Sequence, residues 1–132
     1  MNPMVSIDTN ILIRFLTGDD KKQAVKAKKL FSEENIYITK TVILETEWVL
    51  RYAYEFSEDA IASAYTKLLG QKTVIIEDSY HIAQAVSLLN KGMEFADALH
   101  LVCSQNYPFV TFDKKLANKA KASGFEAVQL LW

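Results

Sequence analysis

The sequence has little with which to staple, kink or anchor itself. Its 132 residues include one cysteine, two prolines and four glycines. A lone Cys103 closes no internal disulfide, which suits a reducing compartment, so a cytoplasmic protein held together by packing is expected. So few glycines and prolines exclude collagen-like and low-complexity sequence. No apolar run approaches the roughly 20 residues that a membrane span needs. Met1-Asn2-Pro3 opens no basic-then-apolar leader, so no signal peptide is expected either. Nor does charge of one sign dominate. Fifteen basic residues face 16 acidic ones for a formal net charge of −1, which at first sight disfavours a polyanion partner. No internal repeat and no Pro/Gly/Ser-rich linker divides the chain.

What is present is the material of a core. Half of the residues are apolar and 23% are charged. A chain of this length buries about two-thirds of the surface it exposes when unfolded, so residues 1–132 are expected to form a single domain. Short apolar runs alternate with longer amphipathic ones. Met4 to Ile7, Ile36 to Ile38, Thr73 to Ile76, Phe109 to Thr111 and Ala127 to Leu131 read as strands, brief and rich in β-branched residues. Between them, helical spacing marks Asn10–Leu16, Lys21–Phe31, Thr41–Tyr54, Ser57–Leu69, Ser79–Asn90, Ala96–Gln105 and Asp113–Ser123. Within Lys21–Phe31 the recurring inward positions are read as Ala24, Val25, Ala27, Lys28 and Phe31. Thr41 is the candidate N-cap of its helix, Ser57 of the next, and Gly18, Gly70, Gly92 and Gly124 are candidate stops. Buried strands alternating with helices predict an α/β fold, a three-layer α/β/α sandwich around a mainly parallel sheet.

In open parallel sheets, functional groups collect beyond the carboxyl ends of the strands. Asp8 follows the first strand and Asp113 follows the Phe109–Thr111 strand. Glu45 and Asp97 sit within helices among apolar neighbours, Val42-Ile43-Leu44 before the first and Phe95-Ala96 and Ala98-Leu99 around the second, so Glu45 is expected on the inner side of its helix. Each acid alone has an ordinary reading, as an N-cap for the aspartates after strands or as a salt-bridged group for the helical pair. Four carboxylates brought together repel one another and raise one another's pKa, a conflict that a hard divalent cation such as Mg²⁺ or Mn²⁺ removes.

Four segments carry a family resemblance. Val5-Ser6-Ile7-Asp8-Thr9-Asn10-Ile11-Leu12-Ile13-Arg14 resembles the opening motif of PIN-domain ribonucleases. Ile43-Leu44-Glu45-Thr46-Glu47-Trp48-Val49-Leu50, Phe95-Ala96-Asp97-Ala98-Leu99-His100 and Thr111-Phe112-Asp113-Lys114-Lys115-Leu116-Ala117 are similar to its three later ones. They follow in order over essentially the whole chain, whose length is most similar to VapC-type toxins of type II toxin–antitoxin systems. The resemblance implies a metal-dependent endoribonuclease. Asp8 and Asp97 would be direct ligands of Mg²⁺ or Mn²⁺, and Glu45 and Asp113 would complete the acidic pocket directly or through water. Thr9, Asn10 and Thr111 are supporting candidates that orient carboxylates or a phosphate. Arg14, Lys114 and Lys115 are candidates for substrate binding. The resemblance further implies a homodimer and a cognate antitoxin whose tail covers an apolar groove and whose basic residues can enter the acidic site.

Other features are weighed beside this. The lysines at 21, 22, 26, 28 and 29, and at 114, 115, 119 and 121, suit either a solvated helix face or contact with a nucleic-acid backbone. Trp48, Tyr52, Tyr54, Phe56 and Tyr65 suit core packing or a partner surface. His81, His100 and Cys103 lack a fourth zinc ligand at suitable spacing. A haloacid-dehalogenase-like phosphatase also places Asp after its first strand, but it requires a second Asp two residues on, where this chain has Asn10. A catalytically degenerate PIN-fold module that only binds RNA or protein is the other alternative, though such a module has no need of four mutually repelling acids. Setting those four aside leaves 15 basic against 12 acidic residues, a net +3. The near-zero total therefore conceals a mildly basic shell and does not exclude RNA.

Overall fold

The computed structural model describes residues 3–131, so Met1 and Asn2 of the opening tripeptide lie outside the described residues. The chain folds as two compact units, residues 1–79 and 80–132. The first holds strands β1 (Met4–Ser6), β2 (Asn35–Ile38) and β3 (Val74–Ile76), with helices α1 (Thr9–Thr17), α2 (Lys21–Glu33), α3 (Lys40–Tyr52) and α4 (Glu58–Leu69). Its sheet runs in the order β1-β2-β3, and both pairings are parallel, with Val5 opposite Ile36 and Tyr37 opposite Ile75. Parallel neighbours need crossovers, and the helices supply them. Ile36 and Ile38 alternate inward in β2 and are fully buried, as are Leu12, Ile43, Leu50 and Ile61 from the covering helices. Phe15 and Phe31 stack with ring centroids 3.7 Å apart, fastening α1 to α2.

The second unit holds α5 (Ser79–Leu89, beginning on the last residue of the first), α6 (Phe95–Val102), β4 (Phe109–Thr111), α7 (Lys114–Ala122) and β5 (Val128–Leu130). Strands β4 and β5 pair in parallel, Phe109 opposite Val128, with α7 as the crossover between them. Lys119 of α7 donates to the carbonyl of Gly92 at 2.7 Å, tying that helix to the turn before α6. Every described strand pair is parallel and every crossover helical, which bears out the α/β class.

Helix ends follow local chemistry. Asp8 caps α1, accepting from the Ile11 N–H at 3.1 Å, and Gly18 closes it in the left-handed region at φ 72°. Ser57 caps α4 as expected, accepting from Ala60 N–H at 3.1 Å. Gly70 also ends its helix, but in ordinary right-handed backbone at φ −84°, where any residue fits. Three expectations are corrected. The cap of α3 is Thr39 rather than Thr41, because the helix begins at Lys40 and the Thr39 hydroxyl accepts from Val42 N–H at 3.4 Å. The helix turns Ile43, Thr46, Glu47 and Leu50 inward, and Glu45 lies on the exposed face, not the inner one. In α2 the buried positions are Ala24, Ala27 and Phe31, whereas Val25 is 67% exposed and Lys28 lies outside, each one residue past the inward stripe.

The buried acid in α3 is Glu47, only 4% exposed. It accepts from Arg51 Nε at 2.8 Å one helical turn on, and Arg51 also lies 3.8 Å from Glu58 of α4. Burial alone would lower the Arg51 guanidinium, but the hydrogen bond and charge of Glu47 outweigh it and hold the group above its ordinary value. Beside them Tyr65 is buried and donates to the Ile43 carbonyl at 2.7 Å. Burial first, and then the charge of Glu47, push its phenol well above the ordinary value.

Candidate active site

In the first unit, the carboxyl ends of the adjacent strands β1 and β2 lead into the N-termini of α1 and α3. Asp8 stands at the first of these ends. One of its oxygens, Oδ1, accepts from the Ile11 N–H, and α1 directs its positive pole at the carboxylate. The N-cap reading of Asp8 is therefore correct, and it engages only one of the two oxygens. The next residue, Thr9, donates its hydroxyl to Glu45 Oε1 in a short hydrogen bond. Asp8, Thr9 and Glu45 are thus gathered at one sheet edge, with Glu45 projecting from the exposed face of α3 where a ligand can reach it. Asn10, also exposed, lines a cleft that begins at Asp8.

The second unit repeats the arrangement. Asp113 follows β4 and caps α7, with Oδ1 accepting from Leu116 N–H at 3.0 Å. Thr111 holds this turn, because its hydroxyl accepts from the Asp113 N–H at 3.0 Å. Asp97, in the first turn of α6, and Asp113 line a single cavity of about 200 Å³ together with Glu94, Lys115 and Lys119. Half-burial raises the Asp97 carboxyl above its ordinary value, and the charges of Glu94 and Asp113 add to the effect. Lys114 is not among the residues lining the cavity, whereas Lys115 is.

Glu94 is an acid that the sequence reading missed. It occupies the N-cap position of α6 without making a side-chain cap, which leaves its carboxylate to the cavity. Its spacing of three residues before Asp97 places both acids on one face of a helix start, and that spacing was the available signal. Three carboxylates lining one cavity, with the Asp97 carboxyl raised by burial and by the charges of Glu94 and Asp113, offer the oxygen donors that a divalent cation prefers. The oxygen chemistry of these residues fits a divalent metal ion.

The hydroxyl contact to Glu45 gives a first test of the site. Replacing Thr9 with valine removes the donor that orients Glu45, and phosphodiester cleavage is expected to fall by about 10–100-fold, the usual cost of losing an orienting partner. Thr9→Ser restores the hydroxyl and should recover most of the rate, with thermal unfolding unchanged in both variants.

The other sequence candidates fall into place separately. Arg14 is held by Gln23, Tyr54 and Asp19. The aromatic stretch divides: Tyr65 is core, Tyr54 joins the Arg14 network, and Trp48 and Tyr52 are exposed on α3 with ring centroids 5.1 Å apart. Among the described residues, no helix is long and apolar enough to cross a membrane.

Comparison with known proteins agrees with this arrangement. A VapC ribonuclease of Aquifex aeolicus (strain VF5) is 26% identical over 105 residues, covering 75% of this chain and 77% of that one. No solved structure matches the chain. The family model of the PIN domain matches residues 5–122, a span that contains all four acidic motifs and both parallel strand systems up to α7, in keeping with a three-layer α/β/α fold. This chain belongs to the PIN domain family.

Proposed function

We propose that the protein is a metal-dependent endoribonuclease, the toxin of a toxin–antitoxin pair, and that residues 1–132 act as one nuclease domain. The observation that carries this reading is the paired use of aspartate after a strand. Asp8 and Asp113 each cap a helix with one oxygen and keep the other, and each has further acids at hand, Glu45 in one unit and Asp97 with Glu94 in the other. Membership of the PIN family and the likeness to a VapC ribonuclease support the substrate class.

In this reading Asp8 and Asp97 hold Mg²⁺ or Mn²⁺ directly, and Glu45 and Asp113 do so directly or through water. When bound, the cation supplies neutralisation of the phosphate and activation of the attacking water. Thr9 fixes the rotamer of Glu45, and Thr111 fixes the turn that presents Asp113. Lys115 and Lys119 bring positive charge to the mouth of the Asp97 cavity, where a phosphate would enter. The antitoxin would supply basic groups to the same acids. The exposed Trp48–Tyr52 pair supports a homodimer contact or an antitoxin groove, and the protein would act in the cytoplasm.

The test is cleavage of RNA by purified protein with Mg²⁺ or Mn²⁺, with 5′ ends mapped by sequencing. Discrete cleavage that chelator abolishes and Mn²⁺ restores is expected. Intact RNA under all metal conditions, with binding retained, would favour the degenerate binding module.

A further inference from the structure

Between α1 and α2 of the first unit lies a cleft of about 390 Å³, a size typical of small-ligand sites. Asp8 stands at its end, so it opens onto the proposed chemistry. Ile11, Ala27 and Leu30 give it an apolar wall. Its polar lining combines Arg14, Gln23 and Lys26 with Asp8 and Asn10.

The hydrogen bonds within the cleft decide what those groups offer. Gln23 uses its carbonyl Oε1 to accept from Arg14 Nε at 2.9 Å, which leaves the amide N–H₂ to point elsewhere. Arg14 Nη1 donates to the Tyr54 hydroxyl at 2.8 Å and lies 3.4 Å from Asp19 Oδ2, while Tyr54 in turn donates to Asp19 at 2.8 Å. The Tyr54 hydroxyl, and then the Asp20 backbone N–H, hold the Asp19 carboxyl below its ordinary value. Arg14 is thereby pinned through Nε and Nη1, and among the described residues no hydrogen bond engages Nη2. Arg14, Gln23 and Lys26 thus present donors beside an apolar wall.

We propose that this cleft binds the nucleotide flanking the cleaved bond, an inference that rests on the ribonuclease reading and deepens it. A nucleotide brings acceptor oxygens on phosphate and base edge to Arg14, Gln23 and Lys26, and a flat face to the apolar wall of Ile11, Ala27 and Leu30. Arg14 and Lys26 set two cations beside that wall, which favours an occupant carrying phosphate. A base edge carrying carbonyl acceptors, as in guanine, meets the Arg14 and Gln23 donors, whereas the amino group of adenine opposes them.

The experiment compares cleavage-end profiles on randomised RNA for the unmodified protein, Gln23→Ala, Lys26→Ala and the control Lys72→Ala. It also measures the affinity of the same RNA for Asp97→Asn protein with and without each change. Gln23 and Lys26 are exposed, and Arg14 is spared because its loss would release Asp19 and Tyr54. Gln23→Ala should flatten base preference at one position beside the cut by about tenfold, other positions keeping theirs. Lys26→Ala should weaken RNA affinity about threefold to tenfold, with Lys72→Ala unchanged. RNA cut and bound identically by all variants would overturn the proposal and leave the ribonuclease reading standing. Unchanged RNA behaviour with weakened binding of the co-produced antitoxin would assign the cleft to a peptide and overturn it too. Unmodified protein that neither binds nor cuts RNA would remove both readings together.

Discussion

Asp8→Asn and Asp97→Asn are each expected to lower RNA cleavage by more than about 100-fold while leaving the fold intact. The lower bound follows from a comparison: partners that merely orient a ligand cost about 10–100-fold when removed, so a direct ligand has to cost more. Asparagine is the informative replacement at Asp8. It caps a helix about as well as aspartate does, and the Ile11 N–H keeps an acceptor. Stability is then held while the charge is removed, so the capping and functional roles separate within one variant. Asp8→Ala would confound them, because losing the cap alone costs about 0.5–2 kcal/mol. At Asp97 the half-buried carboxyl already sits above its ordinary value, because burial and the charges of Glu94 and Asp113 work against its ionisation. An uncharged amide relieves that repulsion, so Asp97→Asn should melt at or above the temperature of the unmodified protein. Measured together, cleavage rate and melting temperature give the check. Unchanged cleavage in both variants would remove these aspartates from the site.

The largest expected loss of stability lies elsewhere, at Arg51. Arg51→Ala leaves the Glu47 carboxylate 4% exposed without its guanidinium partner. Breaking a buried pair from one side costs about 3–5 kcal/mol, which for a chain of this size lowers the melting temperature by roughly 10–20 °C. Glu47→Gln should cost less, since Arg51 keeps an amide oxygen to donate to and the Glu58 carboxylate 3.8 Å away. Replacing both residues together, Glu47→Leu with Arg51→Met, should recover much of the loss, because the desolvation penalty of both charges disappears with them. Thermal melts of the three variants at neutral pH check this. Equal losses for the single and double replacements would mean that the pair is not what stabilises the packing of α3 against α4.

How far the sequence discloses this molecule depends on the length of the pattern read. Helices α1, α2 and α4 each carry a capping side chain and a sustained apolar stripe, and their bounds follow within a residue or two. Strands of three or four residues leave little alternation to count, yet the short apolar runs around them place all five. The side on which a residue lies is more fragile. In α3 the inward stripe runs through Ile43, Thr46, Glu47 and Leu50, so Glu45, although apolar residues precede it, lies on the exposed side. Two acids two residues apart on a helix face nearly opposite directions. Composition cannot say which of them meets solvent; the packing of Ile43, Thr46 and Leu50 against the core does. Glu94 escaped notice for a related reason, since a residue at a helix boundary belongs to no stripe. The Arg14 network joins residues up to 40 positions apart, a separation that no local pattern registers.

The capping role of Asp8 and Asp113, joined to the role proposed for them in the site, would have a consequence for how such a gene decays. Loss of charge at position 8 or 113 to an ordinary side chain also frays α1 or α7, so drift that silences the enzyme tends to lower its abundance as well. Only asparagine, serine or threonine can stand in for the aspartate without that second penalty. A copy that has lost its activity but persists as a folded protein should therefore bear a particular scar: a polar, uncharged cap at one of these two helix starts, in a sequence otherwise little altered.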